Sequence, residues 1–163
     1  MRLPQLVHRL LFACAKVYWR FRKPRTFGVK AVILADCQGD SLLLVRHTYG
    51  NTLLWNLPGG GYNPKKEAAI DAIHREIEEE LGVTPVGLSE LGTYKTGGEG
   101  KVDTVQIFEA KIDYLSSLPG TSRELLQIAW VPMDEVFDRR DVARIVRTGV
   151  RQLRGENTFE SYV

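Results

Sequence analysis

Positions 76 to 80 of this 163-residue chain carry four carboxylates, Glu76, Glu78, Glu79 and Glu80, with Arg75 directly before them and Glu67 further upstream. On a helix, residues at i, i+3 and i+4 share one face. Glu76, Glu79 and Glu80 are therefore crowded together, and like charges so placed need compensation. A bound divalent cation supplies it. Oxygen-only, anionic ligands favour Mg²⁺, with Mn²⁺ as a substitute, over zinc. No zinc set is present: Cys14 and Cys37 stand far apart, without CxxC pairing or a histidine at ligand spacing. The competing reading of the helix alone is a solvated surface that happens to be rich in glutamate.

Upstream lies a second group of candidate residues. Leu57-Pro58-Gly59-Gly60-Gly61 puts three glycines in a row, which lets a backbone approach a ligand closely. Trp55 and Tyr62 flank this loop and are candidates for stacking on a base, the alternative being core packing. Arg46 and His47 end a strand near the loop, within reach of phosphate or a proton transfer. His74, inside the acidic helix, reads as packed structure.

These residues need a scaffold, and the apolar pattern supplies one. Phe27 to Ala35 and Leu42 to Arg46 read as a hairpin around the turn 36–40. The acidic helix spans about eighteen residues to Gly82, burying Ile70, Ile73, Ile77 and Leu81, with Glu76 and Glu80 bordering that stripe and Glu78 opposite it. Val86 to Tyr94, Val102 to Ile112 and Leu125 to Val131 read as strands, and Met133 to Leu153 as one helix. The expected fold is α/β or α+β, a mixed sheet sandwiched between helices.

Composition is that of an ordinary globular domain, with 44% hydrophobic and 26% charged residues. The net charge of +2 conceals a division: residues 1–35 hold eight basic residues and no acid, which leaves the remainder at −6. The basic segment reads as an amphipathic helix over residues 1–25, stopped at Pro24. It is expected to pack on the domain or form a homodimer, with peripheral contact to an anionic membrane a weaker reading. Its apolar run is too short to span a bilayer. No aromatic-basic module points to nucleic acid. A domain over 26–155, a tail over 156–163 and a cytoplasmic setting complete the expectation.

Gly61, five residues, Glu67, seven residues, then Arg75-Glu76-Ile77-Glu78-Glu79-Glu80-Leu81-Gly82-Val83 resembles the Nudix box at every defined position. Residues 27–153 resemble the family more loosely, and residues 1–25 fall outside it. The resemblance implies that Glu76, Glu79 and Glu80 hold Mg²⁺, joined by a backbone carbonyl of Gly60 or Gly61. It implies that Arg75 orients the carboxylates and that Glu67 completes their network or binds a second ion. Candidates for the base that deprotonates water are Glu124, Glu99 and Glu76. The implied reaction cleaves a nucleoside diphosphate linked to another group, in a nucleoside triphosphate or a nucleoside diphosphate sugar, to a nucleoside monophosphate and the other half. Alternatives are a nucleotide-sensing domain without turnover and an RNA-associated 5′-pyrophosphohydrolase. A sensor of this type usually loses box glutamates, and here all are present. Marks of the individual subfamilies are mostly absent.

Overall fold

The computed structural model describes residues 25–34, 41–48, 50–96, 102–112 and 125–156. The expected N-terminal helix, the turn 36–40, Glu99, Glu124, both cysteines and nearly all of the tail lie outside the described residues. Five strands, β1 (Arg25–Leu34), β2 (Ser41–His47), β3 (Gly87–Thr96), β4 (Val102–Lys111) and β5 (Leu125–Pro132), form one mixed sheet in the order β3-β4-β1-β2-β5. β1 runs parallel to β4, and the other neighbouring strands are antiparallel. The mixed sheet between helices is as the sequence predicts. Among the described residues no helix is long and apolar enough to cross a membrane.

Strand alternation divides the core in two. Val29, Ala31 and Ile33 of β1, with Leu43 and Val45 of β2, pack against Ala72, Ile73, Ile77 and Leu81 of α1 (Ala69–Leu81). Val32, Leu42 and Leu44 point the other way, onto Val136 of α2 (Glu135–Asp138) and onto Val146 and Val150 of α3 (Arg144–Leu153).

Three sequence expectations need correction. The hairpin β1–β2 is paired at Leu34 and Leu42, but the strands then part and the glycine segment enters between them. The amides of Val29 and Ala31 donate to the carbonyls of Gly60 (2.9 Å) and Pro58 (3.0 Å), while Val45 and Asn56 exchange backbone bonds of 2.9 and 2.8 Å. The acidic helix has 13 residues, not eighteen. Asn63 closes a separate turn, its carbonyl accepting from Lys66 and Glu67 and its side chain from Lys65, and Ala68 is extended. Ile70, at the first turn, is 48% exposed, so the buried stripe lacks it and instead includes Glu80. At the other end Gly82 closes the helix in the left-handed region, φ 69°, as expected. Lastly, Met133–Leu153 is broken at residues 139–143. Trp55 donates to the carbonyl of Asp141 (2.7 Å) and accepts from Ala143 (2.9 Å), an extended pairing that no helix accommodates.

Candidate active site

Arg75 is the hub of the acidic helix. Its Nε and Nη2 donate to the two oxygens of Glu67 (3.3 and 3.1 Å), and its Nη1 donates to Glu76 Oε1 (2.8 Å) and Glu79 Oε2 (3.0 Å). The bond to Glu67, then that to Glu76, hold the guanidinium above its ordinary pKa. Ion pairs this exposed add little stability. The fork instead fixes geometry, since a planar guanidinium dictates where its carboxylates lie. Glu76 is the most enclosed of the three it grips; burial raises its carboxyl pKa and Arg75 pulls it back.

Glu80 faces inward. It is 4% exposed, and its Oε2 accepts from the amide of Gly59 at 2.8 Å. Gly59 has φ 120°, and a Cβ there would stand 2.3 Å from the carbonyl oxygen of Val29, so only glycine fits. From the same residue, the carbonyl of Gly59 accepts from Lys30 Nζ. One residue, through its two flanking peptide units, thus joins β1 to the buried face of α1. Gly60 makes a second cradle: a Cβ there would come within 2.4 Å of Glu76 Oε2.

His47 Nδ1 lies 3.5 Å from Glu80 Oε1. Burial, with the Lys30 ammonium adding to it, pulls the imidazole from 6.5 to about 4, so at neutral pH this approach is not an ion pair. Burial holds the Lys30 amine below the ordinary lysine pKa, against Glu80 and then Glu76, which raise it.

A cleft of about 1130 Å³ runs beside this assembly, lined by Lys30, His47, Glu67, residues 59–61 and Tyr62, with Tyr94, Asp103 and Arg144 further round. Tyr62 lines it, its hydroxyl donating to Gln106 Oε1 at 2.8 Å and its ring edge-on to Phe27. Trp55 and Arg46 do not line it. Trp55 is 8% exposed within the core, and Arg46 lies over its ring at 4.5 Å while bonded to Asp141 (3.0 Å). Both are engaged in packing away from the cleft wall, whereas the sequence reading offers them as substrate contacts. His74 sits 3.6 Å from Glu78, off the cleft.

The donor set suits a divalent cation in charge and chemistry. Glu67, Glu76, Glu79 and Glu80 bring four carboxylates together on hard oxygens, and Arg75 is bonded to three of them. Among the described residues no three carboxylates converge on one point, since Arg75 draws Glu76 and Glu79 outward while Glu80 turns to Gly59. Val29 uses one lone pair of the Gly60 carbonyl and leaves a second, and in this ladder the Gly61 carbonyl turns away from β1. Lys30 was not singled out in the sequence. Its signal was a lone cation inside the apolar run Val29-Lys30-Ala31-Val32-Ile33-Leu34.

Comparison with known proteins agrees with this arrangement. The NUDIX domain family matches residues 24–152. The nucleoside triphosphate pyrophosphatase/Nudix hydrolase fusion protein of Bifidobacterium longum (strain NCC 2705) is 32% identical over 135 residues, 78% of this chain and 27% of that protein. The chain thus spans about a quarter of the length of this curated relative. The MutT protein of Methanosarcina mazei Go1 has a similar crystal structure, with TM-score 0.69, 25% identity, and coverage of 82% of this chain and 96% of that one. The NUDIX domain of Shewanella oneidensis NrtR, solved with ADP ribose, is similar in fold at 20% identity, TM-score 0.68, covering 82% and 88%. With the whole box gathered by Arg75 and the glycine loop, and with the family matched over most of its length, the chain belongs to the Nudix hydrolase family.

Proposed function

We propose that this chain is a Mg²⁺-dependent pyrophosphohydrolase that cleaves a phosphoanhydride bond in a nucleoside diphosphate linked to a further group, releasing a nucleoside monophosphate and the other half. Mn²⁺ is expected to substitute. The observation that carries the reading is the glutamate assembly of α1 set against the glycine loop at the wall of the cleft. Glu76, Glu79 and Glu80 would hold the cation, with the carbonyl of Gly60 or Gly61. When bound, such an ion supplies charge neutralisation of the diphosphate and acidifies a water molecule.

The remaining work falls to the chain's own groups. Arg75 keeps Glu76 and Glu79 oriented and holds Glu67 beside them, within the cleft lining. The Gly59 peptide fixes Glu80 from behind. Tyr62 and Tyr94 offer aromatic surface to a base or sugar. The proton acceptor is Glu124, Glu99 or Glu76, and a positioned base contributes about 10²–10⁴-fold. A pH–rate profile of Glu124→Gln decides: loss of the acidic limb assigns Glu124, and an unchanged profile transfers the role.

The test of the whole reading is a panel of nucleoside triphosphates, nucleoside diphosphate sugars and dinucleoside polyphosphates incubated with Mg²⁺, with both products identified. Turnover should vanish with EDTA and return with Mg²⁺ or Mn²⁺. Binding of a panel member without cleavage would favour a sensing domain, and cleavage that survives exhaustive chelation would sink the metal assignment.

A further inference from the structure

Gly28 is a glycine inside β1 that its backbone does not require. Its φ lies outside the left-handed region that Gly59 and Gly82 occupy, so an ordinary residue would adopt it. A glycine within a strand carries an entropic cost and offers its neighbours no side chain to pack against. Packing does not demand it either. A Cβ on residue 28 would stand 3.3 Å from the Gly60 carbonyl oxygen and 3.5 and 3.8 Å from the two methyls of Val105, whereas one on Gly59 would meet backbone at 2.3 Å. A small shift admits the first, and nothing admits the second. What the missing side chain leaves is space, and that space belongs to the cleft, which Gly28, Gly60 and Val105 all line.

Strand register sets this space in a row. Gly28 stands beside Val105 of β4, and Val105 beside Tyr94 of β3. All three line the cleft, on the face of the sheet that carries α3. In the next row inward, Lys30 stands beside Ile107 and Ile107 beside Gly92. There α3 closes on the sheet: Ile107 is fully buried, and a Cβ on Gly149 of α3 would come within 2.9 Å of Val32 and 3.6 Å of Ile107. At the Gly28 row the start of α3, residues 143–145, borders the cleft instead. The floor of the cleft thus fills stepwise away from the glycine loop, from no side chain to a valine to a tyrosine.

The slot at Gly28 adjoins the Gly60 carbonyl, one of the two proposed to join the cation. Whatever fills it is then the part of the substrate next to the diphosphate. In a nucleoside diphosphate that part is the pentose, and the base lies one unit further on, where Val105 and Tyr94 offer an aliphatic and an aromatic surface to a flat ring. We propose that Gly28 is a specificity-determining residue: its missing side chain lets the nucleoside half of the substrate lie along the row, pentose over Gly28 and base over Val105 and Tyr94. A side chain at this position excludes that half and leaves the diphosphate site intact. The inference rests on the pyrophosphohydrolase reading above.

The experiment measures binding to the full chain by calorimetry, with Mg²⁺ present, for wild type, Gly28→Ala and Gly28→Val. Two kinds of probe are compared. The first are the α,β-methylene diphosphates of adenosine, guanosine, cytidine and uridine, which resist cleavage; the second is methylenediphosphonate, the same anion without a nucleoside. Gly28→Val should weaken the tightest nucleoside probe about ten-fold or more, the scale on which a pocket rejects methyl-sized changes, and Gly28→Ala should weaken it less. Methylenediphosphonate should bind all three proteins alike. Tm of Gly28→Ala should equal or exceed that of wild type, since alanine at a compatible φ restricts the unfolded chain.

Unchanged nucleoside binding in Gly28→Val overturns the inference. So does a parallel loss of both kinds of probe with a lowered Tm in Gly28→Ala, which would make this glycine a seat for the neighbouring loop and nothing more. A wild type that binds methylenediphosphonate but none of the nucleoside probes more tightly also overturns it, because the nucleoside then has no seat. If wild type binds neither kind, the diphosphate reading itself fails and the inference falls with it, whereas failure in the Gly28 variants alone leaves that reading standing.

Discussion

Glu79 and Glu80 are adjacent in sequence but opposite in surroundings, one side chain 61% exposed and the other 3%. Glu79→Gln should leave stability within about 0.5 kcal/mol, as surface substitutions do. Glu80→Gln keeps an oxygen to accept from Gly59. Both variants should nonetheless lower kcat by orders of magnitude at saturating Mg²⁺, because a neutral amide is a poor ligand for that ion. Steady-state rates beside thermal melts would show it, and unchanged rates in both would remove the metal assignment. His47 gives a prediction in pH. With a folded pKa of about 4 against an ordinary 6.5, it takes up a proton in the unfolded chain across that window but not in the folded one. Its contribution to stability is therefore present above pH 6.5 and declines as the pH falls towards 4. In metal-free buffer, Tm should fall over this window in wild type and fall less steeply in His47→Gln. Parallel curves would show that the imidazole is not held neutral.

At the scale of elements, the glycine loop separates two kinds of constraint. Gly59→Ala puts a Cβ against the backbone of Val29 at a left-handed φ, and nothing there can move aside. It should cost roughly 2–4 kcal/mol of stability. Gly60→Ala meets only the end of the Glu76 side chain. It should cost less than about 1 kcal/mol in urea unfolding yet depress turnover, by moving a proposed ligand. Similar losses of stability in both variants would contradict the distinction. Much of this was legible in advance. The box spacing located Arg75, Glu67 and the three glutamates, and the order of strands and helices gave a mixed sheet between helices. Periodicity measured from Ile70 misjudged the helix, because Asn63 and Ala68 end the preceding turn just before it and leave Ile70 at the rim. Burial of Glu80 was only half visible, as a carboxylate bordering the apolar stripe. Its partners, Gly59 and His47, are 21 and 33 positions away, and local pattern does not report tertiary neighbours. Lys30 was missed for the same reason. Arg46 and Trp55 were placed near the right loop, but the strap from Asp141 to Ala143 that draws Trp55 inward has no local signature.

For the molecule as a whole, Trp55 joins parts that are distant in the chain. Its backbone pairs with Val142, and its ring packs in the core shared by the sheet, α2 and α3. Trp55→Ala should cost roughly 3–5 kcal/mol in unfolding free energy, the range for a large buried aromatic. KM for a nucleotide substrate should change little below the unfolding transition. A large rise in KM at full stability would restore the ring to a substrate role. The glycine loop that follows β2 and lies against β1 sets a limit of another kind, on timing. Since Pro58 and Gly60 take their backbone bonds from the central strand, the loop cannot swing like a lid unless that strand's pairing opens too. Its amide partners Val29 and Ala31 should exchange hydrogen as slowly as the sheet interior, by sub-global opening and not by local fluctuation. Admission of substrate and release of product must therefore be paced by other walls of the cleft, while the glycine loop stays fixed throughout turnover.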